Sequence, residues 1–189
     1  MQHELTLGEA ADLLSRALPG HRVEILQGRL IVTPPPDGAH ALSLTKLGRA
    51  FDRAGIERSG LEYVQGIGLW LPHLPDDYAI PDFSVVDEDF CDALVQKNCY
   101  APNVFRLVVE VTSSNWTDDL GTKVESYAEA GVPVYIVADR KHGEVLLYRD
   151  PENGKYPAPQ RYERGQQVPV PESVGVSLEL PVDTLLDSC

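Results

Sequence analysis

The sequence predicts a mixed α/β fold in one domain spanning 1–189, on three observations. Runs of strand character alternate with amphipathic helical stretches along most of the chain. An almost wholly apolar strand at 104–111 is followed by a helical stretch and then by a second apolar strand at 133–138. The chain carries no internal repeat and no linker long enough to divide it.

In chain order, Thr6-Leu-Gly-Glu9 reads as a capping box opening a helix through about Ala17, with Leu13, Leu14 and Ala17 as its apolar stripe. Pro19-Gly20 ends it. Residues 22–32 read as two short strands around Gln27-Gly28, a hairpin signal. Pro34-Pro-Pro36 is a rigid turn, and an amphipathic helix follows over 40–54 with Leu44, Leu47 and Phe51 on one stripe. Strands are expected at 62–71 and 79–86, then an acidic loop at 87–92. The 104–111 strand leads into a polar turn, Thr112-Ser-Ser-Asn115, with Trp116 on the surface. A helix is expected over about 118–130, with Gly131 as its C-cap. Strands at 133–138 and 144–149 flank the turn Arg140-Lys-His-Gly143. The proline- and glycine-rich tail from Asp150 suits short edge strands.

Composition narrows the function. The 16 basic residues face 29 acidic ones, a net charge of −13. That argues against a protein held on nucleic acid by diffuse electrostatics, which needs clustered Lys and Arg. It leaves room for a site whose carboxylates hold a cation. Cys91, Cys99 and Cys189 are odd in number and lack metal-ligand spacing, so they predict neither zinc nor a disulfide framework. No apolar run approaches the roughly 18–20 residues that span a bilayer. Met1-Gln-His-Glu4 lacks the basic and apolar stretches of a signal peptide, so a cytoplasmic location is expected.

The most informative residue is Glu110, a carboxylate inside an apolar strand. An unpaired buried charge costs several kcal/mol, so a partner or a cation is required. Alternate strand residues share a face, which groups Arg106, Val108, Glu110 and Thr112, with Phe105, Leu107, Val109 and Val111 opposite. Asp82, Ser84 and Val86 likewise share a face. If these two strands pair, Asp82 and Glu110 meet, and two adjacent carboxylates repel unless a cation lies between them. On the following helix Asp119, Lys123 and Tyr127 share a face, placing an ammonium above the carboxylates. Two carboxylates, a carbonyl and waters suit Mg2+, with Mn2+ as an alternative.

The order Glu24…Pro81-Asp82…Glu110-Val-Thr112…Lys123…Tyr127 resembles the PD-(D/E)XK nuclease superfamily. More narrowly, the chain resembles a widespread bacterial restriction endonuclease family (Uma-type, formerly a domain of unknown function). The resemblance rests on Val23-Glu-Ile-Leu-Gln-Gly-Arg-Leu30, on His40 after the proline turn and on Pro81-Asp82. Its most specific block is Leu107-Val-Val-Glu-Val-Thr-Ser-Ser114, then Asp119-Leu-Gly-Thr-Lys-Val-Glu-Ser-Tyr127 and Ala130-Gly-Val-Pro-Val-Tyr135. It covers about 23–148. It implies a restriction-endonuclease-like core, a mixed central sheet flanked by helices, and a divalent metal on Asp82 and Glu110. It also implies catalytic roles for Asp82, Glu110, Lys123 and Glu24 in Mg2+-dependent cleavage of DNA. Thr112 stands where the superfamily pattern has its lysine, and Lys123 matches the position to which the family's lysine has moved. Superfamily members commonly pair. A homodimer would gather Arg49, Arg53 and Arg58 into a basic surface.

Structural alternatives stand beside these roles. Glu110 could pair with Arg106, Lys123 with Asp119, and Glu24 could lie on a solvated strand face. His40 reads as a helix-start residue and Tyr127 as a packing residue. A catalytically inactive member serving as an interaction or regulatory module is the alternative function.

Overall fold

Thr6 Oγ1 accepts a hydrogen bond from Glu9 N at 3.2 Å, and the Glu9 carboxylate takes Thr6 N at 2.8 Å. This capping box starts α1 (Leu7–Ala17). The computed structural model describes residues 4–112, 118 and 120–186. Expectations for Met1, for the turn at 113–115, for Trp116, for Asp119 and for Cys189 lie outside the described residues. The inner face of α1 is Ala11 and Leu14, packed on Val23 and Ile25, whereas Leu13 and Ala17 face outward, a rotation from the expected stripe.

β1 (Arg22–Leu26) and β2 (Arg29–Thr33) form the expected hairpin. Gln27 and Gly28 turn it with φ of 50° and 70°, the left-handed pair that such a tight turn requires. α2 (Gly38–Ala54) follows, capped by Asp37, whose carboxylate accepts from His40 N at 2.7 Å.

The two strands expected next are each divided between sheets. The first becomes β3 (Leu61–Val64) and β4 (Gly68–Trp70), broken at Gly66 with φ of 71°. The second becomes β5 (Tyr78–Ala79) and β6 (Phe83–Asp87), broken around Pro81. β7 (Leu94–Gln96) and β8 (Cys99–Tyr100) follow the acidic stretch, and β9 (Phe105–Val111) is the apolar strand. Asp118, where the helix is expected to start, is helical; a turn at 120–121 precedes α3 (Thr122–Glu129), and Gly131 (φ 73°) follows it. β10 (Val134–Asp139) and β11 (Glu144–Arg149) flank the turn at 140–143. The tail supplies β12 (Gln160–Glu163), β13 (Gln167–Pro169), β14 (Glu179–Pro181) and a short helix, α4 (Val182–Leu186).

One mixed sheet runs β12-β11-β10-β9-β6-β3 and a second runs β2-β1-β5-β4-β8-β7, while β13 and β14 pair alone. The central strand β9 is parallel to β10 and antiparallel to β6. α2 and α4 cover one face of its sheet, with Leu47, Phe51, Leu185, Phe83, Leu107 and Val109 in one core. The other face packs α3 and the second sheet around Tyr127, Tyr135, Val108, Leu26 and Leu69. Both faces of β9 are therefore core, which is why a carboxylate there stands out. Phe105 joins the second core rather than Leu107's, because the β6–β9 register shifts between Val85 and Val86.

Among the described residues, no helix is long and apolar enough to cross a membrane. Cys91 is exposed and Cys99 buried, both free thiols. Burial pushes the Cys99 thiol up to about 11, with Lys97 pulling weakly the other way. Iodoacetamide at pH 8 is expected to modify Cys91 in the native protein and to reach Cys99 only after denaturation. Peptide mass mapping checks this, and rapid native labelling of Cys99 would contradict the packing around β8.

Candidate functional site

The break at Pro81 is what builds the site. β5 belongs to one sheet and β6 to the other, so the chain crosses between sheets at residues 80–82 and leaves Asp82 on the seam. The β6–β9 register pairs Phe83 with Val109 and Ser84 with Val108, which sets Asp82 beside Glu110. Asp82 Oδ2 accepts from Val111 N at 2.8 Å, and Asp82 N lies 3.4 Å from Glu110 Oε2. The convergence expected of these two carboxylates is present.

β1 contributes from the other sheet. Val23 and Ile25 face α1, so Arg22, Glu24 and Leu26 face inward between the sheets. Glu24 is consequently buried, at 1% exposure, rather than on a solvated face. Its Oε1 accepts from Ile80 N at 2.7 Å and lies 3.2 Å from Lys123 Nζ.

Lys123 and Tyr127, one helical turn apart on α3, both reach Glu110 Oε1 at 2.8 Å. Lys123 is 2% exposed and Glu110 is fully buried. Tyr127 therefore does more than pack, since its hydroxyl donates to the central carboxylate. Burial, with Glu110 adding to it, raises the Tyr127 pKa well above the ordinary value, so the phenol keeps its proton. Arg106 does not serve Glu110. Its guanidinium forms a bidentate pair with Asp87, at 2.7 and 2.9 Å.

Two further residues complete the cluster. His40, in the first turn of α2, sets Nε2 3.2 Å from Asp82 Oδ2 and is buried, beyond a helix-start role. Arg22 Nη1 donates to Asp82 Oδ1 at 2.6 Å and to the Ile80 carbonyl at 2.9 Å, and lies 3.9 Å from Glu110 Oε2. Arg22 Nε is 3.7 Å from Glu24 Oε2. The sequence reading missed Arg22, although its position two residues before Glu24 on the same strand face was a usable signal.

The charges tune one another. Burial alone would lower the Arg22 pKa, but Glu110, Glu24 and Asp82 together raise it, so the guanidinium is permanently charged. Burial alone would raise the Asp82 pKa. The hydrogen bond from His40 and the charge of Arg22, with smaller contributions from His40 and Lys123, hold it well below the ordinary value.

The Uma2 family, described as "Putative restriction endonuclease", matches residues 10–183. The chain belongs to this family. The Uma2 match spans all of the cluster, from Arg22 to Tyr127. The fold of this Uma2 chain is also that of a "putative nuclease belonging to DUF820" from Anabaena variabilis ATCC 29413, known from its crystal structure. The TM-score is 0.70 at 19% identity, over 97% of this chain and 98% of that one. No curated protein matches.

Thus the Uma2 fold draws Glu24, Asp82 and Glu110 together from two sheets, with Lys123 and Arg22 between them. Hard carboxylate oxygens suit Mg2+ or Mn2+. As they stand, no three His, Cys, Asp or Glu side chains among the described residues are arranged to hold an ion. The guanidinium, which contacts all three carboxylates, lies among the donors. A cleft of about 660 Å³ opens onto this cluster, lined by His21, Arg22, Pro36, His40, Pro81 and Asp82 among others.

Proposed function

We propose that this chain is a Mg2+-dependent endonuclease hydrolysing phosphodiester bonds in DNA, with Mn2+ able to substitute. The reading places it in the cytoplasm, as a homodimer. The observation that carries it is the buried Lys123 ammonium, 2.8 Å from Glu110 and 3.2 Å from Glu24, next to an Asp82 bonded to the strand end beyond Glu110.

Glu110 and Asp82 would hold the ion, with Glu24 as a further metal or water ligand. When bound, the ion supplies an acidified water and charge neutralisation at the phosphoryl oxygens. Tyr127 fixes the orientation of Glu110, and His40 with Val111 N fixes that of Asp82. Lys123 orients the attacking water or offsets negative charge gathering on the phosphate. The cleft beside Arg22 and His40 receives the phosphodiester. With a net charge of −13, attraction to DNA must be local to the cleft and to the bound ion.

The saturation of the carboxylates by Arg22 and Lys123 favours a second reading, an interaction module that needs no ion to keep its fold. Incubation of the purified chain with supercoiled and linear DNA separates the two. Nicking that requires Mg2+ or Mn2+ and stops with a chelator is the expected result. Absence of cleavage of DNA and RNA across several divalent metals favours the module.

A further inference from the structure

Arg22 sits where a cation shared by the three carboxylates would sit. One oxygen of each acid faces its guanidinium: Asp82 Oδ1 at 2.6 Å, Glu24 Oε2 at 3.7 Å and Glu110 Oε2 at 3.9 Å. The other oxygens have their own partners. Lys123 takes Oε1 of Glu24 and of Glu110, while Val111 N and His40 take Oδ2 of Asp82. The guanidinium is an imperfect occupant, for its Nε is buried without a hydrogen-bond partner. A buried donor left in that state is a cost that leaving would relieve. The way out is open, since the side chain keeps 22% exposure and lines the 660 Å³ cleft.

Charge points the same way. Three carboxylates against Arg22 and Lys123 leave the cluster at −1, and exchanging the guanidinium for a divalent ion brings it to zero. Both together would crowd like charges at one place.

We propose that Arg22 is a displaceable internal counterion: it holds the carboxylates together before metal loading, and a divalent ion takes its place while the guanidinium turns outward into the cleft. The inference rests on the metal-dependent reading of the site given above. It makes Arg22 a positioning residue whose removal exposes a stronger metal site, the opposite of what loss of a metal-supporting residue does.

The test is a calorimetric titration with Mn2+ of the wild-type chain and of Arg22→Met, which keeps the apolar stem. Competition predicts that both proteins bind Mn2+ and that Arg22→Met binds it at least tenfold more tightly; binding by the variant alone would mean that the ion does not displace the guanidinium, and overturns the proposal. Equal or weaker binding by Arg22→Met overturns the role of Arg22 and leaves the metal site standing. Failure of both proteins to take up Mn2+ removes the metal reading and this inference with it. Because loss of Arg22 could also unfold the seam, a second measurement uses the wild type alone. Phenylglyoxal labelling mapped by mass spectrometry should rise at Arg22 when Mn2+ is added and stay constant at Arg106, which is paired with Asp87. Labelling of Arg22 that is unchanged or reduced by Mn2+ overturns the proposal.

Discussion

Lys123→Met should lower the unfolding free energy by about 3–5 kcal/mol, the usual cost of stripping one partner from a buried ion pair. The ammonium is 2% exposed and lies between Glu110 at 2.8 Å and Glu24 at 3.2 Å. Methionine fills much the same volume, so the loss is electrostatic rather than a cavity. Urea unfolding of the wild type, Lys123→Met, Glu110→Gln and the double variant forms a cycle. Neutralising Glu110 in the Lys123→Met background should recover part of the loss, because the stranded carboxylate is what costs. A Lys123→Met chain within about 0.5 kcal/mol of the wild type, the scale of ordinary surface changes, would show that Lys123 does not neutralise the cluster. The prediction also governs how activity is read. A Lys123 variant that fails to cleave DNA says nothing about catalysis until its folded fraction is known.

The parts of the site that the sequence reveals are those where a polar residue breaks an apolar pattern. Glu110 is legible because β9 is buried on both faces and offers no other reason for a charge. Asp82 follows from pairing two strands by alternation, since register alone puts it beside Glu110. Lys123 follows from helical spacing. Glu24 was harder, because a carboxylate between Val23 and Ile25 has the alternation of a half-exposed strand. It is buried only because the second sheet stacks on the first, an arrangement set by breaks at Gly66 and Pro81 that divide what read as continuous strands. Two-residue strands such as β5 and β8 carry too little periodicity to be seen at all. Arg22 was missed for a related reason. A long basic side chain at a strand end usually reaches solvent, and only the stacking of the sheets turns it onto three acids. Tyr127 illustrates a limit of face assignments, since its ring packs on Tyr135 while its hydroxyl serves Glu110.

Asp82→Asn should separate the structural from the chemical role of the cluster. Loss of outer-shell partners alone costs 10–100-fold in metal affinity, so loss of this carboxylate is expected to weaken Mn2+ binding by about a hundredfold or more and to end cleavage. Stability should fall less than for Lys123→Met, by about 1–3 kcal/mol. Asparagine can still accept from Val111 N, and Arg22 keeps Glu24 and Glu110 within 3.9 Å. The pH dependence carries the sign. The Asp82 pKa is lower in the folded chain than its ordinary 3.8. Its contribution is therefore complete above about pH 4 and is lost as pH falls toward the folded value. The gap in unfolding free energy between wild type and Asp82→Asn should be widest near neutrality and narrow as the pH drops below about 4. Chemical denaturation at a series of pH values measures it. A gap that stays constant down to the acid limit would mean that Asp82 ionises as an ordinary surface carboxylate, and the buried charge cluster on which the proposed chemistry rests would have to be abandoned.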